Sequence, residues 1–102
     1  MTIGKDLPKL LDDITELILA ESDVIKIDQL RAKQKDIAIE LQKLIDGNVD
    51  KATPEYNEVI VGIKVAHDAV KEAIKDLGKV AETINKIAKV LSLLSKVVSM
   101  VA

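Results

Sequence analysis

Residues 76–79 read Asp76-Leu-Gly-Lys79, and how these four residues are read decides the fold. A glycine inside a helix costs about 1 kcal/mol relative to alanine, so the tetrapeptide has the look of a helix end. Against that, an apolar row spaced by sevens (Tyr56, Ile63, Val70, Leu77, Ile84, Leu91 and Val98) crosses it without a change of phase. Three residues on from each runs a second row, Val59, Ala66, Ala73, Val80, Ile87, Leu94 and Val101. These are the a and d positions of a heptad seam. The unbroken phase predicts one helix over about 54–101, roughly 70 Å long at 1.5 Å per residue.

Upstream lies the strongest break in the chain, Asp46-Gly-Asn-Val-Asp-Lys-Ala-Thr-Pro54. Gly47 and Asn48 tolerate the conformation that ends a helix, and Thr53 followed by Pro54 supplies an N-cap and the favoured first helical residue. Residues 47–53 are therefore expected as a turn. The first half is expected as a helix over about 7–46, with Pro8 in its first turn. Its apolar phase shifts at Glu21-Ser-Asp-Val24: Leu10, Ile14, Leu17 and Val24 keep one register, and Ile27, Leu30, Ile37, Leu41 and Leu44 another. Ser22 and Asp23 are good N-cap residues, so the helix either kinks there or breaks in two. No Gly or Pro is near, which favours a bend within one helix.

Folding the chain at the turn sets residue i against roughly 100 − i. Residues 1–28 carry seven acids against Lys5, Lys9 and Lys26, a net of −4, and residues 79–102 carry four lysines against Glu82, a net of +3. The tail KIAKVLSLLSKVVSMVA (86–102) resembles a lipid-seeking amphipathic peptide, but this charge match gives it an intramolecular partner. The expected fold class is all-α: a single domain over 1–102, an antiparallel helical hairpin with long coiled-coil-like helices. A third interior row (Ile60, His67, Ile74, Ala81, Ala88 and Ser95) widens the apolar face, and Val90, Leu93, Val97 and Met100 fall outside the two main rows. One neighbouring helix cannot cover them all, so self-association into a four-helix bundle is expected.

Composition bounds the function. The chain has 102 residues, a net charge of −2, no cysteine and one aromatic, Tyr56. Without cysteine there is no disulfide framework and no thiolate ligand or nucleophile. The balance of charge argues against nucleic acid, which needs clustered excess Lys and Arg. No signal-peptide pattern opens the chain, so a cytoplasmic location is the default, with leaderless secretion left open. No charge-free stretch exceeds Val90–Ser95, far short of the roughly 20 residues of a spanning helix.

No catalytic, cofactor-binding or metal-binding set is expected. His67 is the sole histidine, with no His-x-x-x-His or Glu-x-x-His spacing around it, whereas zinc takes three or four ligands. Asp12, Asp13 and Glu16, like Glu55 and Glu58, are expected to complement helix macrodipoles. Thr83 and Asn85 are placed on the solvent side of the second helix, and Gln34 and Asn57 near the seam. The interaction seam is assigned to Ile63, Val70, Leu77, Ile84, Leu91, Val98, Val80, Ile87, Leu94 and Val101, with Ile37, Leu41 and Leu44 opposite. Val90, Leu93, Val97 and Met100 form a candidate partner or membrane face. The expected function is a non-enzymatic oligomerisation or interaction module that binds itself or another helical protein, without cofactor. The alternative is a membrane-active, toxin-like helical protein using residues 84–102 on a lipid surface.

Overall fold

The computed structural model describes residues 3–46 and 53–100, and these are all-α. Four α-helices run α1 (Ile3–Ala20), α2 (Val24–Asp46), α3 (Pro54–Lys75) and α4 (Val80–Ser99), with a 3₁₀ turn at Leu77–Lys79 between the last two. Among the described residues there is no strand. The expected turn at 47–53 and the seam residue Val101 lie outside the described residues, Thr53 excepted.

The expected 70 Å helix is two helices. Asp76 is extended, with φ −142° and ψ 94°. Its carboxylate accepts from the Gly78 N–H at 3.1 Å, and its carbonyl accepts from the Lys79 N–H at 3.0 Å. Short polar side chains offer the backbone such local alternatives to a helical ladder, and the low helix propensity of Gly78 adds to the effect. The heptad phase survives the break because both helices present their rows to one core. Phase records which residues face inward and says nothing of whether the chain reverses.

The first half breaks as well, so of its two expected forms the structure takes the broken one. Asp23 caps α2, its Oδ1 accepting from the N–H groups of Ile25 at 2.9 Å and Lys26 at 3.3 Å. Glu21 Oε1 accepts from the Ser22 and Asp23 N–H groups. The first helix also begins earlier than Pro8 suggests. Ile3 is fully buried and its N–H donates to the Tyr56 hydroxyl at 3.0 Å. That anchorage holds a turn of helix ahead of the proline, whose missing N–H falls on the exposed side. At the start of α3, Thr53 Oγ1 accepts from Tyr56 N–H at 3.3 Å, with Pro54 in the first turn, as the sequence suggests.

Contacts fix the arrangement. α3 packs on α4 and α1, and α2 packs on the same two helices, whereas the backbones of α1 and α4 do not approach closely among the described residues. Ile3 meets Tyr56, Asp13 meets His67 and Glu16 meets Lys71, so α1 and α3 run parallel. The Thr83 hydroxyl donates to the Ala69 carbonyl at 3.2 Å and Lys79 reaches Glu72, so α3 and α4 are antiparallel. The expected meeting of the acidic first segment with the basic tail does not occur. It assumed a single fold-back, whereas the chain also reverses at Glu21–Asp23 and at Asp76, which sets α1 and α4 on opposite sides of the bundle.

One apolar cluster draws on all four helices, with Ile3, Leu7, Ile14, Leu17, Leu30, Ile37, Val59, Val70, Ile87 and Leu94 wholly shielded. The molecule measures 39 × 20 × 18 Å. Its radius of gyration of 13.3 Å matches the roughly 13 Å expected of a compact chain of this length.

Candidate functional site

The structure brings together two constellations, one polar and one apolar. The polar one joins α1 to α3. Asp13, expected to serve the helix dipole, is buried and points into the interface, where its Oδ2 contacts His67 Nδ1 and its Oδ1 lies 3.5 Å from Lys71 Nζ. Lys71 also reaches Glu16 at 3.4 Å. Lys71 is held charged to a higher pH than an ordinary lysine, first by the Asp13 carboxylate and then by Glu16. A carboxylate on one imidazole nitrogen resembles the orienting half of a hydrolytic triad. Here, among the described residues, no hydroxyl bonds the ring, and the same carboxylate is shared with Lys71. A shallow hollow of about 330 Å³ beside the ring has Leu10, Ile60 and Ile63 in its lining together with the charged Asp6, Lys9, Lys64 and Asp68. Neither this hollow nor any other cluster of His, Asp and Glu among the described residues has the makings of a metal site.

The apolar constellation is a groove between α3 and α4, about 720 Å³ in volume. Its α3 wall is Pro54, Asn57, Glu58, Val61, Gly62 and Val65, a helical stripe, and its α4 wall is Lys86, Lys89 and Leu93. Val61 is 62% exposed and Val65 46%. Gly62 makes the floor: a Cβ there would stand 3.5 Å from both Leu93 and Val90, in ordinary contact, so its absence leaves a shallow hollow without forcing it. Past Lys86 the groove continues as a polar trough between Asp68, Glu72, Lys79 and Glu82. On the apolar stretch the charges are Glu58 against Lys86 and Lys89. Lys86 is paired to Glu82 at 3.5 Å on the surface, and Lys89 makes no ion pair among the described residues.

A second exposed apolar patch sits at the α1–α2 turn, at the end of the bundle away from Pro54. Leu19 is 82% exposed, Val24 68% and Ile25 71%.

Of the residues assigned to the seam, Ile63, Val70, Val80, Ile84, Ile87, Leu94, Ile37, Leu41 and Leu44 are buried, while Leu77, Leu91 and Val98 pack half-buried against them. The candidate partner or membrane face is divided. Val90 and Val97 are in the core, Leu93 is half-buried in the groove and Met100 is exposed. Val90 and Val97 fall outside the heptad rows yet are covered because α4 packs on α2 as well as on α3. Thr83, expected toward solvent, is buried, its hydroxyl bonded to the Ala69 and Lys79 carbonyls. Gln34 is near the interior as expected, its amide donating to the Leu11 carbonyl at 2.8 Å and the Thr15 hydroxyl at 2.7 Å. Asn57 and Asn85 are exposed. Missed altogether were Val61 and Val65. Their signal was available: two valines four apart, off both seam rows and flanking a glycine.

Comparison of the chain with models of protein families, with curated proteins and with solved structures finds no match.

Proposed function

We propose that the chain is a non-enzymatic interaction module that associates with further copies of itself through the α3–α4 groove. The observation carrying this reading is the exposure of Val61 and Val65 side by side over the Gly62 floor, facing Leu93. A contiguous apolar hollow rimmed by charges is characteristic of an association site, where scattered single apolar residues are not. The heptad seam plays a different part from the one the spacing suggests. It is consumed inside one chain, so association adds to a finished core and does not complete it. The interface is accordingly small and weak, in the range of transient contacts.

Membrane activity loses most of its basis, since Val90 and Val97 are inside and no helix among the described residues is long and apolar enough to cross a bilayer. Catalysis is disfavoured because the best polar cluster, at Asp13, is closed on itself by His67 and Lys71.

Sedimentation velocity from micromolar to millimolar protein tests the reading. The weight-average mass should rise above 11.1 kDa with concentration, and Val61→Lys should restore the monomer without loss of helicity. A mass fixed at the monomer across the range refutes it.

A further inference from the structure

We infer that the occupant of the groove is the α1–α2 turn of the next copy, with Leu19, Val24 and Ile25 seated over Val61, Val65 and Leu93. This rests on the self-association just proposed and names the surface that serves it.

The two patches match in polarity and charge. The turn exposes three aliphatic side chains, more than the rest of the described surface gathers at one place outside the groove. Around them stand Glu21, Asp23 and Asp28 against Lys26, a net of −2, while the groove carries Lys86 and Lys89 against Glu58, a net of +1. Lys86 is shared with Glu82, but Lys89 and the three acids of the turn make no ion pair among the described residues. A surface pairing that sets an acidic rim against a basic one fixes register and suppresses the alternative of groove on groove, which would oppose Lys86 and Lys89 to themselves.

The placement of the two patches sets the kind of assembly. α1 and α3 run parallel from Ile3 and Tyr56, so the α1–α2 turn lies at the end of the bundle away from Pro54, on the helix pair opposite the groove. A molecule cannot seat its own turn in its own groove. The contact is therefore heterologous, turn to groove, and it repeats into an open chain or closes into a ring, and does not stop at a two-fold dimer.

This predicts a complementation that no self-complementary interface gives. Ile25→Lys blocks the turn by setting a cation against Lys86 and Lys89, and Val61→Lys blocks the groove. Both sites are exposed, so circular dichroism should show wild-type helicity in each. In sedimentation velocity each variant alone should assemble at least about a hundredfold more weakly than the wild type, the scale of a like-charge contact. Their equimolar mixture should form a heterodimer and stop there, one intact turn in one intact groove. The proposal is overturned if Ile25→Lys assembles like the wild type while Val61→Lys does not. Groove-on-groove association would then hold, and the broader reading would survive. It is overturned equally if both variants are monomeric and the mixture stays monomeric. A wild type that never assembles removes both readings and leaves the groove to a helix of another protein.

Discussion

Asp13 and His67, 54 residues apart, stand side chain to side chain across the α1–α3 interface, and the same carboxylate reaches Lys71 at 3.5 Å. Asp13 is the buried member of this set and its two partners are half-exposed. Replacing it with alanine removes hydrogen bonds to a charged group from an otherwise apolar contact. Asp13→Ala should cost about 1–3 kcal/mol in chemical denaturation. Lys71→Met should cost less, because Lys71 exchanges its partner for water, and the double variant should lose less than the two changes added together. Additive losses would mean that the cluster does not act as a unit.

The pH dependence follows from the raised pKa of Lys71. A cation held above its ordinary value of 10.5 contributes stability that is complete below that value in the unfolded chain and is lost as pH rises through the higher folded value. Thermal melting should show a wild-type advantage over Lys71→Met at neutral pH that vanishes on the alkaline side of 10.5. An advantage unchanged at high pH would show that the lysine acts through packing of its stem alone.

At Gly62 a methyl group meets Leu93 and Val90 at ordinary contact distance, in the middle of α3. Gly62→Ala should raise stability by about 0.5–1 kcal/mol, the propensity difference between the two residues. A lower melting temperature would show that the floor of the groove is tighter than its geometry indicates.

Much of this architecture was legible in the residues. The seam positions Ile63, Val70, Ile84, Ile87 and Leu94 are in the core because spacing reports burial directly. The cap at Thr53-Pro54 was legible because its chemistry is local. The reversal at Asp76 was not, since it turns on a contest between one Asx-type hydrogen bond and a helical ladder, and the heptad phase is the same whichever prevails. With the break at Glu21-Ser22-Asp23 taken as a bend within one helix, the pairing of Asp13 with His67 could not be anticipated: parallel packing of α1 on α3 requires two chain reversals, and the register i against 100 − i supplies one. The groove was obscured for a related reason. Val61 and Val65 stand off both rows in the sequence, but that they line a groove depends on α4 lying back along α3.

Val90 separates the core reading of the tail from the lipid one. It is fully shielded between helices, so Val90→Asp should abolish the cooperative helical transition, because an unpaired charge placed there costs several kcal/mol. Vesicle co-sedimentation of the wild type should show little binding. Wild-type helicity in Val90→Asp, together with vesicle binding that the change removes, would restore the lipid reading.

The central structural claim is that the seam closes within one chain through the reversal at Asp76, and small-angle X-ray scattering extrapolated to infinite dilution tests it most directly. The dilute monomer should give a radius of gyration close to the 13.3 Å of the Cα trace, rising with concentration as copies join. A hairpin built on an unbroken helix of roughly 70 Å would instead give about 20 Å or more at every dilution, and that result would contradict the account.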